Sequence, residues 1–397
     1  MQKRVISLKQ SLEIEKFITN TMTRRFFINK LLKWSKIVFI FCLLPFDSIY
    51  KAAFAGEKKK DAGVQSILSL REIVLKKIHH GKNRFVNPFN RGNFGSPWRI
   101  IQWKLFSKNS FKAFYKQERV IPVSIDWKTV KDKKGLSITF IKHSCVMIKD
   151  MDKYILVDPL FFEIPGFFKD FSPLAFDIKE MPSPDYVLIT HGHYDHLDKP
   201  SLASLRKDTQ VITPLGYNEI LDDLKMNRRT QMDWFDTFSE GKLEITLLPC
   251  NHWTMRNPIV GPNRSLWGSF LIKTAGGFTI YISGDTGYFE GFREIGEEYS
   301  IDLAILNLGA YEPRWFMATS HMNPGETVRA FQELRARHIL IVHWGTFRLG
   351  DEPVHYPPID LKRELEKEGI SDRVVDLKHG QTLFYDDFAK PYIMSPA

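Results

Sequence analysis

Nine residues constrain this chain more than any others: Thr190-His191-Gly192-His193-Tyr194-Asp195-His196-Leu197-Asp198, which hold three histidines and two aspartates. They follow directly on Tyr186-Val187-Leu188-Ile189, an apolar run that predicts a buried strand. Side chains along a strand repeat every second residue, so His191 and His193 leave its end on the same side. Asp195 and His196 come next, as the chain turns, and can address a second centre close by. Imidazole nitrogen and carboxylate oxygen hold borderline cations at about 2.0–2.2 Å. A polar loop of solvated histidines needs no such density of ligand groups, so the motif predicts a site for two metal ions.

Further candidate ligands stand at the ends of three other predicted strands. Leu243–Leu248 leads to Pro249-Cys250-Asn251-His252-Trp253, Phe278–Ser283 to Gly284-Asp285-Thr286-Gly287, and His338–Val342 to His343-Trp344-Gly345. A lone histidine after a strand is usually satisfied by the backbone. Together with the dense motif, the three ends predict one site built at a sheet edge by loops from a rigid scaffold. Strands are also predicted at Leu136–Ile141, where the pattern alternates, and in a hairpin of His143–Ile148 with Tyr154–Pro159. His143 reads as a packed structural histidine, with a place beside the site as the second option. Helices are predicted at Lys199–Leu205, Tyr217–Lys225, Glu290–Glu298, Pro324–Ala336 and Leu361–Glu368. Strands interleaved with helices in this way predict an α/β fold of sheets covered by helices.

The formal charge of +10 invites a nucleic-acid reading, but residues 1–55 carry ten Lys/Arg against three Asp/Glu, leaving 46 against 43 for the remainder. A nearly neutral body gives little support to phosphate-backbone binding, so no nucleic-acid partner is expected. Three cysteines, Cys42, Cys145 and Cys250, make neither a disulfide framework nor a metal knuckle; a single bridge between Cys145 and Cys250 stays open. Most of the 31 phenylalanines are expected in the core, though a surplus would also suit an acyl-chain groove, for which the loop Phe161–Phe171 is the candidate, with ordinary core as its other reading.

The expected organisation is an export signal over 1–55, a basic linker and helical segment over 56–135, and a catalytic domain over 136–397. Within the first part, Thr23-Arg24-Arg25-Phe26-Phe27 precedes the short apolar run Ile37–Leu44, and Ala53-Phe54-Ala55 stands before Gly56. A charged start, a short apolar centre and an A-x-A site read as an export signal. The run is well short of the roughly 20 residues that span a bilayer. The paired arginines resemble the twin-arginine signal. A periplasmic or exported location follows, with an uncleaved, inner-membrane-associated helix as the alternative. The second part predicts a helix over Val64–Ile78, ended by His79 and His80 as exposed residues rather than ligands. A further amphipathic helix over Trp98–Phe106 mixes Trp and Phe with lysine and arginine. It could lie on a lipid surface, though packing on the domain fits it better.

These residues resemble a known family. The order H-x-H-x-D-H, then His252, Asp285 and His343, is similar to the metallo-β-lactamase superfamily. More specific blocks resemble its N-acyl-phosphatidylethanolamine-hydrolysing phospholipase D family. They are Leu266-Trp267-Gly268-Ser269, Gly309-Ala310-Tyr311-Glu312-Pro313-Arg314-Trp315-Phe316-Met317, His343-Trp344-Gly345-Thr346-Phe347 and Arg84-Phe85-Val86-Asn87-Pro88. The resemblance covers roughly residues 82–360. It implies a four-layer αββα sandwich. It also implies two Zn2+ ions, one on His191, His193 and His252 and the other on Asp195, His196 and His343, with Asp285 bridging. Manganese and iron suit the same donors. His321 matches a family histidine near the metals and the reacting phosphate; its plainer role is as a residue ahead of the helix that Pro324 begins.

The activity so implied is phosphodiester hydrolysis of phospholipase D type. A hydroxide shared by two cations about 3.5–4 Å apart attacks phosphorus, and His321 or water protonates the leaving oxygen. The partner would be a phospholipid, with association to the membrane surface; the oligomeric state stays open, a dimer included. Two other readings remain. One is attack on a carbonyl, as in lactonases and β-lactamases of the same superfamily, and the other is a non-catalytic lipid-binding protein of the envelope.

Overall fold

The computed structural model of the protein describes residues 68–89, 103, 108–164, 169–257, 259–386 and 390–395. Residues 61–95 and 106–397 form one compact unit, and the fold below is theirs; 1–60 and 96–105 form another, in which only Trp103 is described. The expected export signal and most of the expected Trp98–Phe106 helix therefore lie outside the described residues.

Helix α1 (Leu70–Leu75) opens the described chain. Its start is set by a capping box, in which the Ser69 side chain accepts from the Glu72 amide and the Glu72 carboxylate accepts from the Ser69 amide. A short antiparallel pair, His80–Gly81 with Arg84–Phe85, follows α1, and the two main sheets begin after helix α2 (Trp127–Asp132). Strands β1 (Leu136–Lys142), β2 (Cys145–Asp150) and β3 (Lys153–Val157) form an antiparallel meander. Strands β4 (Tyr186–Leu188), β5 (Gln210–Pro214) and β6 (Arg229–Met232) continue the sheet in parallel. Helices α3 (Lys199–Ala203) and α4 (Asn218–Asp223) supply the crossovers.

The second sheet is built from β7 (Thr237–Glu240), β8 (Leu243–Leu248), β9 (Ser269–Lys273), β10 (Thr279–Ile282), β11 (Leu303–Asn307) and β12 (His338–Val342). Its first four strands are antiparallel and its last three run parallel. Between them stand helices α5 (Gly291–Glu298), α6 (Arg314–Met317) and α7 (Pro324–Glu333); α8 (Tyr356–Lys367) follows. Strands β13 (Thr382–Asp386) and β14 (Lys390–Met394) return to the first sheet beside β1.

Alternation decides the layers. Ile138, Phe140, Ile148, Ile155 and Leu188 of the first sheet face Ile245, Leu247, Phe270, Ile280 and Ile305 of the second in one core. The opposite residues of the first sheet, among them Ile141, Met147 and Val187, pack under α2, α3 and α4 with Trp127, Leu202 and Leu221. The opposite face of the second, with Tyr281, Ala304 and Ile339, packs under α5, α7 and α8 with Phe292, Phe331 and Leu361. The result is the αββα sandwich. The expected strands stand within about two residues of their predicted bounds. Strand β1 differs in one respect: alternation suggested one wet face, whereas every residue of it is buried. Thr139 meets this burial by pairing its hydroxyl with that of Thr382 at 3.0 Å.

Direction places the site. The strands β3, β4, β8, β10, β11 and β12 all end at the same edge, because the parallel pairs and the two-step antiparallel relation of β8 to β10 leave them pointing one way. The β1–β2 turn, which carries His143, lies at that edge too. Loops at the carboxyl ends of parallel strands are where α/β folds gather functional groups.

Two expectations about side chains need correction. His79 is not an exposed helix end: α1 stops earlier and His79 is fully buried, while His80 is exposed as expected but lies outside the helix, and both rings reach Asp233. Cys145 and Cys250 are separate buried free thiols, which closes the option of a bridge. Of the aromatic loop, Phe161 and Phe171 are buried while Phe162 is exposed, and 165–168 lie outside the described residues.

Candidate metal centre

Each ligand-bearing loop follows from a strand that stops. Strand β4 ends at Leu188, and Thr190 is tied by its amide and hydroxyl to Asp158, at 2.8 and 2.6 Å. The next turn closes on itself, with the Leu197 amide donating to the His193 carbonyl at 2.9 Å. Gly192 sits where a Cβ would come within 2.7 Å of the Thr254 hydroxyl, so no side chain fits there. His343, at the end of β12, and Asp158, at the end of β3, take the left-handed conformation, with φ of 70° and 41°. Non-glycine residues held this way gather at functional sites, where packing over-determines them.

The loops bring the candidate donors into two adjoining groups, in each of which one ligand atom per residue lies within 4.8 Å of the others. His191, His193, His252 and Asp285 make the first, and His143, Asp195, His196 and His343 the second. Asp285 joins them: its Oδ2 is 3.2 Å from His196 Nε2, and its Oδ1 is 3.2 Å from His343 Nε2. His321 forms a third overlapping set with Asp285 and His343. All eight sequence candidates therefore converge on one edge.

The donors fit a pair of metal ions on three observations. First, His196 Nε2 and His343 Nε2 are buried without hydrogen-bond geometry to any partner, a costly state for a polar atom unless a cation takes the lone pair. Second, the opposite ring nitrogens of three of the histidines are held, though His343 Nδ1 is not. His196 Nδ1 meets Asp158 at 2.7 Å, His252 Nδ1 meets the Ser320 carbonyl at 3.1 Å, and His191 Nδ1 meets the Thr190 hydroxyl at 3.0 Å. Metal-binding histidines are oriented in this way, the far nitrogen donating so that the near one presents its lone pair. Third, nitrogens face nitrogens: His193 Nδ1 is 2.9 Å from His191 Nε2 and 3.2 Å from His252 Nε2.

Charge balance points the same way. Burial lowers the His191 and His252 pKa values well below normal, and that of His193 to about 4, so these rings stay neutral and able to ligate. Burial alone would raise Asp285 and Asp195. Their histidine neighbours overcome that, Asp285 through His196 and His343, and keep both carboxylates ionised. Burial opposes protonation of His343, but Asp285 and Asp195 push it up to about 9. Two anionic groups in a dry site thus draw positive charge to themselves, which bound cations would supply directly.

Several contributors were not legible as such. His143 is closer to the centre than a packed structural histidine, its Nε2 lying 3.0 Å from Asp195 Oδ2. Asn307, at the end of β11, donates to Asp285 Oδ1 at 2.7 Å. Asp158 follows the apolar run Tyr154-Ile155-Leu156-Val157 as Asp285 follows its strand, so the same signal could have found it. His321 precedes the Asn323 cap of α7 and is held through its backbone, its amide donating to Met317 and its carbonyl accepting from Arg314 Nη1 at 2.9 Å. Burial keeps the His321 ring neutral, with its pKa near 4.

Comparison with known proteins matches residues 153–344 to the family described as the beta-lactamase superfamily domain. That segment is a beta-lactamase superfamily domain within this chain. Two solved superfamily folds superpose on it with 17% identity each. One is an isothiocyanate hydrolase from Delia radicum gut bacteria, TM-score 0.51, covering 62% of this chain and 98% of the other. The second is a possible metal-dependent hydrolase from Veillonella parvula, TM-score 0.52, covering 63% and 99%.

Among superfamily relatives by sequence are two with phospholipase names. The yeast (Saccharomyces cerevisiae) mitochondrial N-acyl-phosphatidylethanolamine-hydrolyzing phospholipase D is 33% identical over 62% of this chain and 56% of its own length. The Caenorhabditis elegans N-acyl-phosphatidylethanolamine-hydrolyzing phospholipase D 1 is 29% identical over 75% of this chain and 89% of its own. The alignment thus spans just over half of the yeast protein. A metal-dependent hydrolase from Methanopyrus kandleri is 26% identical over 62% of this chain and 99% of its own length. This chain is a metal-dependent hydrolase of the superfamily.

Proposed function

We propose that the protein is a zinc-dependent phosphodiesterase of phospholipase D type, acting on N-acyl-phosphatidylethanolamine or a related phospholipid. The observation that carries the hydrolytic part is the pair of adjoining donor groups joined by Asp285. The lipid part rests on the names of the yeast and worm relatives and on the Ala310–Met317 block. When bound on these donors, two cations would supply Lewis acidity and activate water for hydrolysis.

The chain's own residues do the rest. Asn307 and the histidines fix the Asp285 carboxylate, which would keep it presented to both donor groups. His143 and Asp158 hold Asp195 and His196 from behind. His321, neutral at pH 7, stands beside Asp285 and His343; its ring would first take the proton released by the attacking water and then pass it to the leaving oxygen. In balance, water's oxygen forms the new bond to phosphorus while the bond to the ethanolamine oxygen breaks. That oxygen leaves with the electron pair and takes a proton, giving phosphatidic acid and an N-acylethanolamine.

The site is proposed to work at an envelope lipid surface after export of the chain by the 1–55 signal. Among the described residues no helix is long and apolar enough to cross a membrane. The deciding experiment incubates purified, zinc-loaded protein with N-acyl-phosphatidylethanolamine, a generic phosphodiester, a lactone and a β-lactam. Phosphatidic acid and N-acylethanolamine are the expected products by mass. Turnover confined to the lactone or β-lactam would replace the phospholipase reading with carbonyl hydrolysis.

A further inference from the structure

The segment just after His252 reaches back onto the motif loop. Arg256 Nη1 donates to three backbone carbonyls of that loop: Gly192 at 3.0 Å, His193 at 3.4 Å and Leu197 at 2.7 Å. Two residues earlier, the Thr254 hydroxyl accepts from the Gly192 amide at 3.0 Å. The loop answers in kind, since the Tyr194 hydroxyl donates to the Arg256 carbonyl at 2.6 Å and its ring lies 4.4 Å from the guanidinium carbon. Gly192 and Leu197 are buried, so their carbonyls have no water to turn to. One side chain thus gathers the inward-pointing carbonyls of a turn whose side chains are the metal donors.

We infer that Arg256 is a positioning residue of the metal centre, holding the 190–198 loop in the shape that aims His191 and His193 at the cation they share with His252. The inference rests on the metal-centre reading alone and not on the lipid substrate. Geometry and charge make opposite demands here, which gives the inference a sign. A guanidinium repels nearby cations, so an Arg256 acting by charge alone would weaken metal binding, and its removal would tighten it. An Arg256 acting by position has the opposite effect: its removal lets the loop relax and metal affinity fall. Orienting groups behind metal ligands are typically worth about 10–100-fold in affinity.

The test uses the full chain, stripped of metal and titrated with Zn2+ against a chelator, with Co2+ absorption as a report on ligand geometry. Arg256→Gln should lower Zn2+ affinity by about 10–100-fold and alter the Co2+ spectrum. Arg256→Lys, which keeps the charge but not the planar fork, should fall between it and the wild type. Tyr194→Phe, which loses only the hydroxyl bond on an exposed ring, should show the smallest shift. Arg71→Ala, removing a surface ion pair with Glu298 on α5, is the control and should leave Zn2+ affinity unchanged.

Wild-type or tighter Zn2+ binding by Arg256→Gln with an unchanged Co2+ spectrum overturns the inference. If the glutamine variant does not fold, unchanged affinity and spectrum in both Arg256→Lys and Tyr194→Phe overturn it equally. Failure of the wild type to cleave the lipid would end the phospholipase reading and leave these metal titrations intact.

Discussion

Two clusters of histidine and aspartate in this protein use the same residue types to opposite ends. At the metal centre, buried imidazole nitrogens point at one another and at Asp285, and two of them find no hydrogen-bond partner. At the second cluster, Asp233 is saturated with donors. Oδ1 receives His79 Nε2 at 2.7 Å and the Trp234 amide at 2.9 Å, and Oδ2 receives His80 Nε2 at 2.8 Å and Lys77 Nζ at 2.6 Å. Burial would raise the Asp233 pKa, but His79 and Lys77 hold it well below the usual carboxylate range. An ionised carboxylate only accepts, so both histidines face it with N–H groups and offer no lone pair there. The far nitrogen of His79 is buried without an acceptor, as is His343 Nδ1 at the metal centre, whereas those of His191, His196 and His252 are held. The cluster is a clasp that fastens residues 77–80 to the turn between β6 and β7. What separates a metal site from a clasp is whether lone pairs or protons converge.

That contrast is easiest to break at Asp285. Asp285→Asn removes one anionic charge from both donor groups, and activity and tightly bound metal should both be lost, as read by turnover and elemental analysis. Near-normal turnover in that variant would falsify the assignment of the bridge. Asp233→Asn should do the reverse. It leaves buried donors facing a neutral amide, at a cost of about 3 kcal/mol in unfolding free energy, while metal content stays at two per chain. A third equivalent of zinc in the wild type, lost in this variant, would turn the clasp into a metal site.

Asp158→Asn tests the support behind a ligand. With the Thr190 and His196 contacts weakened, zinc affinity should fall by about 10–100-fold, measured by chelator competition, with the fold retained by circular dichroism. The smallest effect belongs to His80→Ala. His80 is partly exposed and is one of four donors to Asp233, so a loss of about 1 kcal/mol in chemical denaturation is expected, with unchanged activity.

Legibility in the sequence followed the range of the interaction. The strand before Thr190 and the ligand density after it could be read from neighbours alone, and so could the strand ends bearing His252, Asp285 and His343. His143 could not, because its partner Asp195 is 52 positions away and a lone histidine after a strand carries no mark of it. Arg256 was equally silent: its three acceptors are backbone carbonyls, which every residue has. His79 was misread because the pattern around it is that of a lysine-rich helix end. Only contact with Asp233, some 150 positions on, buries its ring, while His80 reaches the same carboxylate from an exposed position.

The local sequence by itself determined which groups are available for chemistry, since strand period, strand end and residue type are properties of a few consecutive positions. The tertiary structure decided how they are used. Parallel strand directions brought six strand ends to one edge, and burial set which nitrogens stay neutral. The partner opposite each imidazole decided whether it offers a lone pair to a cation or a proton to a carboxylate.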